Sequence, residues 1–304
     1  MKHSFQESIK VKNMLSEKLQ AASASLKKQR EAYALIPSIG ERRVLDGVDC
    51  IVHIPEGSNK NLPVFIELHG GAWVGGDAVF VDSLCQKISR ETPCVAVNLN
   101  YKKLDVHPFP YPMEEVLRVI KHFSDNSKEY KIDTQKIVIC GQSAGAHIVA
   151  GAAILAKERD IKIARQILVY PFLDCTGTLP NPLAQSDENK EDMAEIHRLF
   201  FGSLDTKETY LSPAVARAED LKNLAPTDII LCGKDVLKPH AVAYYEKLRE
   251  ANIEVSFKEY KDAIHGFLEV NRSDFTMPNE AKGEEQAVFA RDCENYIIDI
   301  MRKL

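Results

Sequence analysis

The stretch that most constrains this chain is Ile137-Val-Ile-Cys-Gly-Gln-Ser-Ala-Gly-Ala-His147. Ile137 to Cys140 is apolar and mostly β-branched, which suits a strand buried on both faces. Gly141-Gln142-Ser143-Ala144-Gly145 follows at once, and the small apolar run Ala146 to Ala156 then reads as a helix. A strand, a tight glycine-flanked turn carrying a serine, and a helix are the setting that gives G-x-S-x-G a mechanical meaning. The glycines leave room for strand and helix where the backbone bends, and the turn lifts the Ser143 hydroxyl above the sheet. Ser143 is therefore a candidate nucleophile, and the chain must also supply a base, an acid and an oxyanion site.

Residues 1 to about 35 are helical in character, with apolar positions such as Met14, Leu15, Leu19 and Leu26 separated by lysines and glutamates, and read as a peripheral helix packing on the body. Pro37 and Gly40 end it. Arg43-Val-Leu and Cys50 to Ile54 then alternate about Asp46-Gly47, a hairpin signal. Buried strands are expected at Leu62–Leu68 and Ile137–Cys140, and further strands at Cys94–Asn100, Ala164–Tyr170, Thr227–Cys232 and Ile253–Tyr260. Helices are expected at Ala78–Arg90 behind an Asp77 N-cap, Met113–Phe123, Pro239–Ala251 and Glu284–Met301. Between Cys175 and about Ser212 strand character lapses into turn residues and a charged helical segment around Glu188 to Phe201, a length of interruption that is usually functional or a lid.

Strand–helix alternation from Leu62 onward implies a mostly parallel sheet with helices on both faces. Right-handed crossovers bring every loop that follows a strand C-terminus to one edge of such a sheet. His69-Gly70-Gly71, the Ser143 turn, Asp235 and His265 all fall in such loops. A serine hydroxyl needs an adjacent base, and the base needs orienting. His265 is the candidate base and Asp235 the acid that holds its tautomer; Ser143, Asp235, His265 is the chain order of an α/β-hydrolase sheet. The backbone N–H groups of Gly70, Gly71 and Ala144 are the natural oxyanion donors. Trp73 either walls the acyl pocket or anchors its loop. His147, one helical turn past Ser143, reads as a packing residue.

His69-Gly-Gly-Ala-Trp73, Gly141-Gln-Ser-Ala-Gly145, Tyr170-Pro-Phe-Leu-Asp174, Ser212-Pro213, Asp235 and His265-Gly-Phe267, with His107-Pro-Phe-Pro110 after Asn100-Tyr101, together resemble the hormone-sensitive-lipase-like branch of the α/β-hydrolases. The resemblance runs from about Glu41 to the C-terminus. It implies an α/β-hydrolase fold with a helical cap, and a cofactor-free carboxylesterase or deacetylase acting on short or medium acyl esters. It also implies that residues 1–40 form an N-terminal cap segment, that residues 41–304 form the catalytic domain, and that 175–212 are a cap or lid insertion. Two letters depart from that branch. Gln142 stands where an acidic residue is usual and Ala146 where a third glycine is usual. Those letters, with His69-Gly-Gly-Ala-Trp-Val-Gly-Gly-Asp77, look closer to arylformamidase-like and acyl-sugar esterase groups. Gln142 is accordingly expected in the substrate pocket, where preference differs between such groups.

Composition removes other classes. A net charge of −5 argues against a general nucleic-acid or anionic-membrane surface. No run approaches the roughly 20 apolar residues of a membrane-spanning helix, and the N-terminus has no signal-peptide core. Seven cysteines, spread singly and without a C-x-x-C pair, suit free thiols in a reducing compartment and no metal site. The expected partner is a small-molecule ester in the cytoplasm, with homodimer formation left open. Two rival readings are an arylformamidase-like amide hydrolase and a non-catalytic protein that binds a small ligand in the same pocket.

Overall fold

In a computed structural model the described residues are 17–57, 61–180, 190–276 and 279–304. The expected helical start over 1–16, part of the connection after Pro55 and the turn residues 181–189 lie outside them. Asp46 and Gly47 both take positive φ (47° and 80°), as a two-residue hairpin turn requires, and they join β1 (Glu41–Leu45) to β2 (Val48–His53). β2 pairs antiparallel with β4 (Val95–Leu99). From there β3 (Leu62–Leu68), β5 (Ile132–Gln142), β6 (Arg165–Val169), β7 (Thr227–Cys232) and β8 (Val255–Tyr260) continue in parallel. The eight strands take the order β1-β2-β4-β3-β5-β6-β7-β8, which places β3 and β5 at the centre. This is the mostly parallel sheet of an α/β-hydrolase fold.

The helices are α1 (Glu17–Ala34), α2 (Asp82–Glu91), α3 (Tyr111–Asp125), the single turn α4 (Ser127–Tyr130), α5 (Ala144–Glu158), α6 (Lys190–Phe201), α7 (Lys238–Glu250), the single turn α8 (Phe267–Val270) and α9 (Glu284–Arg302). Asp77 does cap, but what it caps is a short 3-10 turn, Ala78–Val81, through Val79 N–H at 3.0 Å; α2 begins only after it.

The period of two along the central strands sorts side chains into two cores. Val64, Ile66 and Leu68 of β3 and Ile137 and Ile139 of β5 pack with residues of α3, α5 and α7. Phe65, Val138 and Cys140 pack with α2 and α9 on the other face. Most of these strand residues are completely buried, so the sheet is a rigid platform for the loops at its C-terminal edge.

The segments expected to cover that edge divide their work. α1 is tied down by Arg30, which donates to Val74 O (2.8 Å) and to Asp105 Oδ2 (2.8 Å). The described part of 175–212 instead lies over Trp73: Phe109 N–H donates to Phe200 O at 2.8 Å, and Phe200 meets the indole edge-on at 6.2 Å.

Candidate active site

Ser143 ends the central strand in a conformation few residues adopt, φ 53° and ψ −117°. Such strain persists only where the surroundings over-determine it. Here they do. Ser143 N–H donates to Val169 O at 2.9 Å from β6, and His147 N–H donates to Ser143 O at 3.2 Å from α5. The two flanking glycines are steric requirements. A Cβ on Gly145 would stand 2.2 Å from Leu68 O, and one on Gly141 would stand 2.6 Å from the Gly145 carbonyl carbon.

His265, in the loop after β8, places Nε2 2.8 Å from Ser143 Oγ and Nδ1 2.6 Å from Asp235 Oδ2. Asp235, in the loop after β7, has a side chain only 2% exposed, and its Oδ1 accepts Leu237 N–H at 2.8 Å. Both carboxylate oxygens are thereby fixed. Burial pulls the His265 imidazole down, but the hydrogen bond and charge of Asp235, with Glu269 adding, outweigh it and raise its pKa above the ordinary histidine value. The structure thus brings together the three side chains named from sequence.

Gly70 and Gly71 line a cavity of about 460 Å³ that also contains Ser143, His265, Tyr33, Phe80 and Phe275. No backbone carbonyl among the described residues accepts from the Gly70 or Gly71 N–H. Ala144 opens α5, so its N–H has no intrahelical acceptor either. Beside the serine, these three donors are therefore without an acceptor among the described residues.

Trp73 does not wall this cavity. It is 4% exposed, lies edge-on to Phe172 at 4.9 Å, and donates its indole N–H to His147 Nδ1 at 3.2 Å. His147 is fully buried, and burial pushes its pKa down to about 4, so the ring is neutral. Because Nδ1 accepts from Trp73, Nε2 carries the proton and donates to Leu211 O at 2.9 Å. The pair anchors the glycine loop to the start of α5.

Gln142, expected in the pocket, does not reach it either. It follows Cys140 by two strand positions, so it faces the α2–α9 side and is fully buried. There it adjoins Glu67 without a well-formed hydrogen bond, and burial pushes that carboxyl up to about 8, so it is protonated at neutral pH. A protonated acid beside a neutral amide avoids two facing carboxylates in a dry site. This gives a reason for glutamine at a position where the resembled branch usually carries an acidic residue.

The sequence assigned no site role to Glu269, and named Tyr170 only as part of a motif. Glu269, on α8, accepts a hydrogen bond from Tyr170 OH and stands so close to the Gly70–Gly71 loop that a Cβ on Gly70 would lie 2.7 Å from its Oε1. Burial raises its pKa, against the pull of Tyr170 and His265. A lone acid in Phe-Leu-Glu-Val, just past His265, was the available signal. Gln29 and Tyr33 of α1 also line the cavity, as do Asn279 and Glu280.

The chain belongs to the alpha/beta hydrolase fold family, whose model matches residues 65–269. It is 27% identical over 212 residues to an esterase from Mycobacterium tuberculosis, LipI; the match covers 68% of this chain and 66% of LipI, just under two thirds of that relative's length. It is 27% identical to carboxylesterase NlhH of the same species, with 82% of each chain covered. Among solved structures, the hyperthermophilic esterase from the archaeon Pyrobaculum calidifontis superposes with a TM-score of 0.72 at 25% identity, covering 96% of this chain and 93% of that one. No helix among the described residues is long and apolar enough to cross a membrane.

Proposed function

We propose that this chain is a serine hydrolase that cleaves short-chain carboxylic esters through an acyl-enzyme on Ser143. The observation that carries the reading is the hydrogen-bonded relay from Ser143 Oγ through His265 to Asp235, at 2.8 and 2.6 Å, opening into a cavity beside unoccupied N–H donors. Ser143 Oγ attacks the ester carbonyl as its proton passes to His265 Nε2. The N–H groups of Gly70, Gly71 and Ala144 receive the oxyanion, and one such donor is typically worth about 2.7–4 kcal/mol in the transition state. His265 then gives the proton to the departing alcohol. Water, deprotonated by the same nitrogen, releases the acid. Asp235 holds Nδ1 protonated and stabilises the imidazolium throughout.

The relatives are named as an esterase and a carboxylesterase, which supports ester over amide substrates. Short acyl groups suit a cavity of about 460 Å³ whose lining includes Tyr33 of α1 and Phe275. α1 serves as the cap in this reading, and the seven unpaired cysteines favour a cytoplasmic setting.

Ser143→Ala tests the proposal with p-nitrophenyl esters of increasing acyl length. Hydrolysis should vanish with folding intact, and the wild type should turn over acetate or butyrate faster than long chains. Unchanged turnover in the variant would end the reading.

A further inference from the structure

We infer that Lys103 is a positioning residue for ester hydrolysis, acting through the His69 imidazole on the Gly70–Gly71 peptide whose N–H faces the oxyanion. Lys103 lies in the loop after β4, is 5% exposed, and sets its Nζ 2.9 Å from His69 Nε2. The other ring nitrogen, Nδ1, lies 2.6 Å from Gly70 O.

A carbonyl oxygen can only accept, so Nδ1 carries the hydrogen. A neutral ring then has a bare lone pair on Nε2, and Lys103 must be the donor there. Burial first, then the Lys103 charge, holds His69 well below the ordinary histidine range, so the ring is neutral as this scheme needs. Lys103 thus selects the His69 tautomer that can donate to Gly70.

The consequence falls on one peptide unit. Its oxygen, on Gly70, accepts from His69; its N–H belongs to Gly71, which lines the cavity and is one of the proposed oxyanion donors. A hydrogen bond at the oxygen polarises the N–H and fixes the plane of the group. The surroundings hold this geometry. Tyr101 stacks on the His69 ring at 4.5 Å, its own ring lies 3.8 Å below Lys103 Nζ, and Asn100 Oδ1 accepts from the same Nζ at 3.2 Å. Gly76 closes over the contact, since a Cβ there would stand 2.5 Å from both Gly70 O and His69 Nδ1.

The charged groups around Lys103 are the carboxylates of Asp77, Glu115 and Asp105 and the guanidinium of Arg30. Burial outweighs the carboxylates and brings its pKa down to about 7. A neutral amine still has hydrogens to donate, and Gly70 O can only accept, so the same tautomer is kept in either state.

The inference rests on ester hydrolysis at Ser143, and its test separates the two. In Lys103→Met, kcat should fall about tenfold or more, a part of what one oxyanion donor supplies, while KM stays within about twofold. Lys103→Gln, which keeps an N–H donor, should recover part of the loss. In a His69→Asn background the Lys103→Met change should cost nothing further. Nitrogen-15 spectra of histidine-labelled protein should show His69, assigned by its loss in His69→Asn, protonated at Nδ1 and bare at Nε2. Wild-type kcat in Lys103→Met, or a His69 ring protonated at Nε2, would overturn the inference. If Lys103→Met does not fold, Lys103→Gln and the wild-type spectrum still decide it. Failure of a fluorophosphonate probe to label Ser143 in the wild type would instead sink the parent reading, and the spectrum tests the Lys103–His69 contact regardless.

Discussion

Asp235→Asn is the most informative single change, because the structure dictates how the new amide must sit. Asp235 Oδ1 accepts Leu237 N–H at 2.8 Å, and Oδ2 accepts from His265 Nδ1 at 2.6 Å. An asparagine has one acceptor for these two demands. Its oxygen stays on the Leu237 N–H, which has no alternative, and its NH₂ then points at His265 Nδ1. That nitrogen must become an acceptor, so the proton moves to Nε2, which faces Ser143 Oγ at 2.8 Å. The base now presents a proton to the nucleophile where it needs a lone pair. A tautomer error of this kind costs about 10,000-fold in kcat, or roughly 5.5 kcal/mol of barrier. The fold should survive, since shape and the Leu237 contact are kept. Steady-state kinetics on p-nitrophenyl acetate, with circular dichroism to check folding, measure it. A loss under about tenfold would refute the assigned role of Asp235.

Two further outcomes follow from the same geometry. Proton acceptance requires neutral His265, so kcat/KM should fall as pH drops through a pKa above the ordinary histidine value; Glu269→Gln, which removes a carboxylate that raises that pKa, should shift the acid limb to lower pH, and an unmoved limb would contradict the coupling. Trp73→Phe removes the donor to buried His147 Nδ1 and should cost about 1–3 kcal/mol in urea unfolding, while leaving acyl-length preference unchanged because the indole does not line the cavity; a changed preference would return Trp73 to the acyl pocket.

Much of this was legible because it is local. Gly141 to Gly145 announces its own strand–turn–helix, and Asp46-Gly47 its own hairpin. Asp235 and His265 could be placed because parallel strands send their following loops to one edge. What was not legible depended on orientation and on distant partners. Trp73 turns away from the cavity because Ala72 and Trp73 both take positive φ (49° and 64°), which no residue type at those positions signals. Gln142 could have been placed by strand parity with Cys140, but its reason for being glutamine is Glu67, far away in sequence. Lys103 meets His69 only after two loops converge. Tyr33 reaches the cavity from a helix whose apolar positions recur too irregularly to show which face packs.

The central claim is a covalent intermediate on Ser143, and intact-protein and peptide mass spectrometry after a fluorophosphonate probe tests it most directly. The wild type should gain one adduct, mapped to the peptide containing Ser143, and His265→Ala should gain it far more slowly. No adduct on a folded and hydrolytically active wild type, or an adduct on another residue with Ser143 unmodified, would contradict the account.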